Sequence, residues 1–160
     1  MSNNLTLHDV LPAIKSVVES GNEASFIPEG ISMRPMLSGG RDEIVLKRAR
    51  FPLKKYELPL YVRSNGTIVL HRVVKVYRRK DGKNAYLFRG DNTFVTEHGI
   101  EDSNIIAVVT RFCRNGKWHN TCDLSYKIYA AVWTEIYPIR LFLKRSRNVL
   151  GGFLRKLHLR

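Results

Sequence analysis

Residues 67–78, TIVLHRVVKVYR, form the longest β-rich run of the chain and set its expected fold class. β-branched and aromatic residues favour strands, and the alternation of a strand places His71 between Val69 and Val73 on one face. Further runs of the same kind, separated by turns that contain glycine, lie on both sides of this stretch. The strands predicted in this way are residues 24–27, 43–48, 58–63, 67–78, 84–89 and 105–113, with a last one around Trp118.

Three short turn signals indicate how these strands pair. Asn65-Gly66, Asp81-Gly82 and Asn115-Gly116 each favour a tight hairpin. A hairpin joins antiparallel strands, and successive strands without intervening helices are not the pattern of an α/β fold. We therefore predict a mainly β domain built of antiparallel sheets.

Helical patterns lie at both ends of the chain. Apolar residues recur at helical spacing over residues 6–20, after a capping box at residues 6–9, and Gly21 ends the pattern. We expect an amphipathic helix packed over one end of the core. Helical spacing returns from Ser125 onward, where Pro138 marks a break or a kink.

The C-terminal segment is strongly basic. Residues 139–160 contain seven Arg and Lys and no acidic residue, interleaved with Leu and Phe. This is the composition of a helix at a membrane interface. An anionic membrane surface and a partner protein are about equally favoured, and nucleic acid is third because few residues are suited to base reading. We predict a single domain over residues 1–124 and a basic amphipathic helical tail over residues 125–160.

Composition limits the remaining possibilities. A net charge of +13 in 160 residues implies attraction to an anionic partner. Cys113 and Cys122 are too few for a disulfide framework, so we expect free thiols, and the scattered histidines lack the spacing of metal ligands. No cofactor or metal is expected. The N-terminal apolar positions fall short of the ~20 residues that a membrane span needs, so we expect no signal peptide or anchor and a cytoplasmic or peripheral membrane location.

A serine stands in a shaped turn near the N-terminus. Residues 30–37, GISMRPML, place Ser32 between a turn-forming glycine and Pro35. Serine is a weak nucleophile unless a neighbouring base activates it. His71 is the candidate base, although a single histidine on a half-buried strand is more often a packed core residue.

Three segments occur together in a characteristic order: residues 30–35 (GISMRP), 69–74 (VLHRVV) and 87–92 (LFRGDN). This set resembles the LexA and type I signal peptidase superfamily of serine peptidases. The blocks of that family read Gly-x-Ser-Met-x-Pro, a strand that bears the base, and Gly-Asp-Asn. The resemblance covers residues 27–109 and implies a signal-peptidase-like antiparallel β fold.

The resemblance also implies roles for individual residues. Ser32 matches the nucleophile, with Met33 packed beneath it, and His71 matches the general base, as in the Ser/His members of the family. Asp91 matches the aspartate of the Gly-Asp-Asn block, and Glu97 lies near the position of a second acid. Asp91 is the preferred residue for orienting His71, and Glu97 is the alternative.

The tetrahedral intermediate of such a reaction needs an oxyanion hole. The backbone N–H of Ser32 is the expected donor, and Gly30, Ile31 and Met33 are the expected oxyanion or substrate-binding residues around it. The hydroxyl that bacterial signal peptidases place two residues before the nucleophile is absent, because that position is Gly30.

The implied activity is that of a serine endopeptidase that cleaves leader or signal-like peptides with small residues before the cut. A self-cleaving repressor is disfavoured, because residues 1–26 have room for one helix only and no Ala-Gly or Cys-Gly pair precedes Ser32. The alternative from another functional class is a non-catalytic binding module of the same fold, recruited to a membrane or a partner by its basic tail.

Overall fold

The computed structural model describes residues 7–158, with side chains described for residues 9–147. The helix predicted at residues 6–20 is confirmed, but its capping box begins outside the described residues. The helices are α1 (Leu7–Glu19), α2 (Leu124–Glu135) and α3 (Tyr137–His158); the strands are β1 (Ala24–Phe26), β2 (Glu43–Lys47), β3 (Pro59–Val62), β4 (Ile68–Leu70), β5 (Arg72–Arg78), β6 (Asn84–Arg89), β7 (Glu97–Glu101), β8 (Ile105–Arg114) and β9 (Lys117–Asn120).

The strands form two antiparallel sheets. The larger sheet has the order β1-β2-β8-β3-β4, with β9 paired to β8, and the smaller sheet has the order β5-β6-β7. All of these pairs are antiparallel. The predicted mainly β, antiparallel class with helices at both ends is therefore confirmed.

The run over residues 67–78 is two strands rather than one. β4 ends at Leu70 in the larger sheet, where it pairs with β3, and β5 begins at Arg72 in the smaller sheet, where it pairs with β6. His71 lies at the crossing point between the two sheets. The prediction of one continuous strand was wrong because residue alternation is the same on either side of such a crossing and does not reveal a change of partner.

β7 was not predicted from the sequence. Its five residues, Glu97–Glu101, include a glycine with a positive φ of 73° at Gly99 and one strongly apolar residue, Ile100. Such a segment lacks the composition of a strand. It pairs with β6 through Ile100 opposite Tyr86 and Glu97 opposite Phe88, and this pairing places Glu97 beside His71.

The buried residues form two hydrophobic clusters. The first lies between the larger sheet and helices α1 and α2 and includes Val18, Met33, Leu46, Leu60, Phe112, Tyr126 and Ala130. The second lies on the smaller sheet and includes Leu53, Tyr61, Val73, Tyr86, Phe88 and Ile100.

Helices α2 and α3 together occupy the segment predicted as a tail. The break between them falls at Ile136, next to Pro138, as the sequence indicated. α2 belongs to the first cluster through Tyr126 and Ala130, so it packs against the rest of the protein. The domain boundary at residue 124 stays a prediction. Within residues 7–158, no helix is long and apolar enough to cross a membrane. Cys113 and Cys122 are free thiols.

The packing of α2 yields a stability prediction. Tyr126 is 7% exposed, and its hydroxyl accepts a hydrogen bond from Arg72 at 2.9 Å and donates one to the Tyr56 carbonyl at 3.0 Å. We expect Tyr126→Ala to lower the free energy of unfolding by about 3 kcal/mol, as large-to-small core substitutions do. Urea denaturation measures this change.

Ile128 on the same helix is the matched control, because its side chain is 55% exposed. Ile128→Ala should change the free energy of unfolding by no more than about 0.5 kcal/mol. Equal effects of the two substitutions would mean that α2 is a separate tail rather than part of the core.

Candidate active site

The loop between β1 and β2 faces the end of β4 across a cleft of about 250 Å³. Ser32, Met33 and Leu37 line one side of this cleft, and Ile68 and His71 line the other. The structure thus brings the predicted nucleophile and the predicted base into one cavity, although 38 residues of chain separate them.

The Ser32 loop is fixed by the burial of Met33 and by a hydrogen bond between Gly39 and Gly30. Met33 is 5% exposed and belongs to the first hydrophobic cluster, as its predicted position beneath the serine requires. Gly30 has a φ of +87°, a conformation that favours glycine, and its carbonyl accepts a hydrogen bond from the Gly39 N–H at 3.1 Å. Ile31, the residue before Ser32, is 58% exposed.

The Ser32 amide is a candidate hydrogen-bond donor to a ligand. Among residues 7–158, the Ser32 N–H donates no backbone hydrogen bond, whereas the Ser32 carbonyl is paired with Asn92. An unpaired backbone N–H beside a nucleophilic hydroxyl is the donor that an oxyanion needs. The residue two positions before Ser32 is Gly30, which has no side-chain hydroxyl to add to this donor.

The turn at residues 90–92 joins the Ser32 loop to the base. The Asn92 N–H donates to the Ser32 carbonyl at 2.8 Å, and the Asn92 side-chain amide donates to the Ile31 carbonyl at 3.2 Å. A Cβ atom on Gly90 would lie 2.6 Å from the Ser32 carbonyl oxygen and 2.9 Å from His71 Nε2. Only glycine fits there, and Ser32 and His71 meet across it.

Glu97 contacts the opposite edge of the His71 ring. Its Oε1 lies 2.9 Å from His71 Nδ1, and the Tyr61 hydroxyl lies 3.2 Å from the same nitrogen. A carboxylate only accepts hydrogen bonds, so Nδ1 carries the proton of the neutral ring and Nε2 keeps a free lone pair. That lone pair lies on the side of Gly90 and the Ser32 loop, where a general base would need it; within the described residues it makes no hydrogen bond to the Ser32 hydroxyl.

Arg63 and Tyr61 keep Glu97 ionised. Arg63 binds the carboxylate with two hydrogen bonds, of 2.8 Å from Nε and 2.5 Å from Nη2. Burial opposes ionisation of Glu97, but the hydrogen bonds from Arg63 and Tyr61 and the attraction of His71 outweigh it and lower the pKa of Glu97 below its ordinary value.

His71 itself is 4% exposed. Burial lowers the pKa of His71 below its ordinary value of 6.5, against the attraction of Glu97, which acts to raise it. The imidazole is therefore neutral at neutral pH and able to accept a proton.

Asp91 has different partners from those expected. Its carboxylate forms a bidentate pair with Arg72, at 2.8 and 2.7 Å, and the two side chains are 2% and 1% exposed. His71 and Arg72 are neighbours in an extended chain, so their side chains point to opposite sides. The acid that pairs with Arg72 is thus on the wrong side to hold His71 Nδ1. Of the two predicted acids, the alternative, Glu97, contacts His71 Nδ1, and the preferred one, Asp91, does not.

The backbone of Asp91 is also anchored. Its carbonyl accepts hydrogen bonds from Trp133 Nε1 at 2.9 Å and from Arg140 Nη2 at 2.6 Å, and the Tyr129 hydroxyl donates to its carboxylate at 3.2 Å. These contacts from α2 and α3 fix the turn that carries Gly90 and Asn92.

The contributing residues that were missed in the sequence include Tyr61, Arg63, Arg72, Tyr129, Trp133 and Arg140. Tyr61 and Arg63 lie at the end of β3 in the larger sheet, whereas Glu97 lies in the smaller sheet. No spacing rule connects strands of different sheets, so the sequence contained no signal for this cluster. Within the described residues, no group of three or more His, Cys, Asp or Glu is placed to hold a metal ion.

No family model matches this chain, and no curated protein shows significant similarity to it. The resemblance of the three motifs to a family of serine peptidases therefore stays an expectation. A function for the cleft therefore depends on the geometry of Ser32, His71 and Glu97.

The two acids are expected to respond differently to neutralisation. Glu97→Gln removes the attraction that raises the pKa of His71 and leaves Arg63 beside the ring, so the pKa of His71 should fall further. Asp91→Asn leaves Arg72 buried without its anion and should lower the free energy of unfolding by about 3–5 kcal/mol. NMR titration of the imidazole and urea denaturation measure the two effects. A larger fall of the His71 pKa in Asp91→Asn than in Glu97→Gln would return the orienting role to Asp91.

Proposed function

We propose that this protein is a serine endopeptidase in which Ser32 is the nucleophile, His71 the general base and Glu97 the orienting acid. The observation that carries the proposal is the contact of Glu97 with His71 Nδ1, which leaves Nε2 free on the side of the Ser32 loop. A structural histidine needs neither a paired carboxylate on one nitrogen nor a serine loop clamped opposite the other.

The reaction follows from these positions. His71 Nε2 takes the proton of the Ser32 hydroxyl as the oxygen attacks the carbonyl carbon of a peptide bond, and Glu97 stabilises the imidazolium that forms. The Ser32 N–H donates to the oxyanion of the tetrahedral intermediate. His71 then gives its proton to the leaving amine. Water, deprotonated by His71, hydrolyses the acyl-enzyme and restores the Ser32 hydroxyl.

The cleft favours an extended peptide as the substrate. β4 is the last strand of the larger sheet, so one of its edges has unpaired backbone groups, and it runs directly into His71. A peptide that adds to this edge would pass between β4 and the Ser32 loop. Gly30 and Gly39 line the cleft without side chains, so a peptide backbone can approach the Ser32 loop closely; the preference for small residues next to the cleaved bond comes from the family resemblance alone. We propose leader or signal-like peptides as the substrate class.

The nucleophile is tested by substitution. Ser32→Ala and His71→Ala should each reduce peptide cleavage, by up to roughly 10⁶-fold if the two residues act as a unit. A serine-directed acylating probe should label Ser32 in the native protein and fail to label it in His71→Ala. Mass spectrometry of the labelled protein identifies the modified residue.

Ser38→Ala is the control, since Ser38 lies in the same loop and its backbone N–H, not its hydroxyl, binds Asp42. This variant should keep both labelling and cleavage. A folded native protein that the probe does not label would instead support the non-catalytic binding module.

The pH dependence distinguishes a histidine base from a lysine base. Because burial lowers the pKa of His71 below 6.5, kcat/KM should be constant at neutral pH and fall only as the pH drops through that lowered pKa. In Glu97→Gln the fall should move to still lower pH. A lysine base would require activity that rises only toward alkaline pH, near ~10. A profile of kcat/KM against pH decides between them.

A further inference from the structure

Helix α3 has an unusual orientation toward the body of the protein. Over residues 137–147, whose side chains the structure describes, its contacts with the body include the ring and hydroxyl of Tyr137 and the cationic side chains of Arg140 and Lys144. Arg140 donates to the Asp91 carbonyl and stacks on the Trp133 ring at 4.0 Å, and Lys144 Nζ lies 4.0 Å from the centre of the Phe94 ring. A surface helix normally turns its apolar stripe inward, and here the basic side of the helix faces the body.

The apolar side of the same turns is exposed to solvent. Ile139, Phe142 and Leu143, spaced as i, i+3 and i+4, are 61%, 69% and 55% exposed. In the sequence the same spacing continues along the helix at Val149, Leu150, Phe153, Leu154 and Leu157. Apolar residues aligned on one uncovered face mark a surface that binds something.

The charge of the helix identifies the partner. Between Tyr137 and His158, α3 contains six Arg and Lys and no acidic residue. Arg145 and Arg147 are exposed and flank the apolar face by helical spacing. A second copy of the chain would bring two such basic helices and two net charges of +13 together, so self-association through this face is opposed by repulsion.

We propose that α3 docks on an anionic lipid membrane. Its apolar face enters the boundary between headgroups and acyl chains, and the flanking arginines bind lipid phosphates and carboxylates. The helix is about 33 Å long at 1.5 Å per residue, and its apolar spacing continues along this length, which suits a flat lipid surface better than a compact protein groove.

Docking also has a consequence for the candidate active site. Arg140 of α3 and Trp133 of α2 both donate to the Asp91 carbonyl, and the next residue, Asn92, holds the Ser32 carbonyl. The docking helix and the Ser32 loop are therefore connected through one turn. If the chain has the peptidase activity proposed above, its substrates would be met at the membrane surface.

Vesicle flotation with the full chain tests the docking. The chain should bind vesicles of phosphatidylcholine mixed with phosphatidylserine, bind poorly to phosphatidylcholine alone, and be released as salt is raised. Phe142→Ser combined with Leu143→Ser should lower the partition coefficient at least about tenfold. Arg145→Gln combined with Arg147→Gln should weaken binding to the anionic vesicles alone.

Phe51→Ser is the matched control, because Phe51 is 47% exposed and lies outside α3; it should leave binding unchanged. The proposal is overturned if the native chain does not bind anionic vesicles, or if the double variant at residues 142 and 143 binds as well as the native chain. It is also overturned if size-exclusion chromatography shows a native dimer that this variant converts to a monomer. Binding is measured without a peptide substrate, so a negative result here leaves the proposed peptidase activity standing.

Discussion

The hydrogen bond from the Asn92 N–H to the Ser32 carbonyl joins the Ser32 loop to the turn that follows β6, beside His71. This junction fixes the position of the Ser32 loop relative to His71 in the cleft. It forms because Gly90 has no side chain: a Cβ atom there would lie 2.6 Å from the Ser32 carbonyl oxygen and 2.9 Å from His71 Nε2. A larger residue would separate the Ser32 loop from His71, and a turn of different length would misplace the Asn92 donor.

Two carboxylates, the buried Asp91 and the half-buried Glu97, have different partners around this junction. Asp91 neutralises Arg72 and so allows a cation to lie in the core beneath α2, which stabilises the turn but does not contact the imidazole. Glu97 contacts the imidazole and is itself held by Arg63 and Tyr61. The two acids have different partners because His71 and Arg72 are consecutive residues of an extended chain, so their side chains point to opposite sides. Each side chain binds the acid on its own side.

The C-terminal helices link this arrangement to the surface. α2 buries Tyr126 and Ala130 in the first hydrophobic cluster while Leu124, Ile128 and Val132, spaced by four residues, remain exposed on its other side. α3 attaches through Tyr137, Arg140 and Lys144 and leaves Ile139, Phe142 and Leu143 exposed. The segment is thus both part of the core and a candidate docking surface, which a division into domain and tail does not capture.

The sequence by itself determined the antiparallel β class, the terminal helices, most strand positions and the two residues, Ser32 and His71, that share the cleft. The class and the element positions follow from local rules, since alternation, helical spacing and glycine turns act over a few residues, whereas Ser32 and His71 were paired by the resemblance of three motifs to a peptidase family. Tertiary structure alone decided that His71 lies at the crossing of two sheets, that β7 forms, and that Glu97 rather than Asp91 contacts His71. Those outcomes depend on which strands become neighbours, and the pairing of Glu97 with Phe88 and the meeting of Arg63 with Glu97 join segments that no local pattern relates.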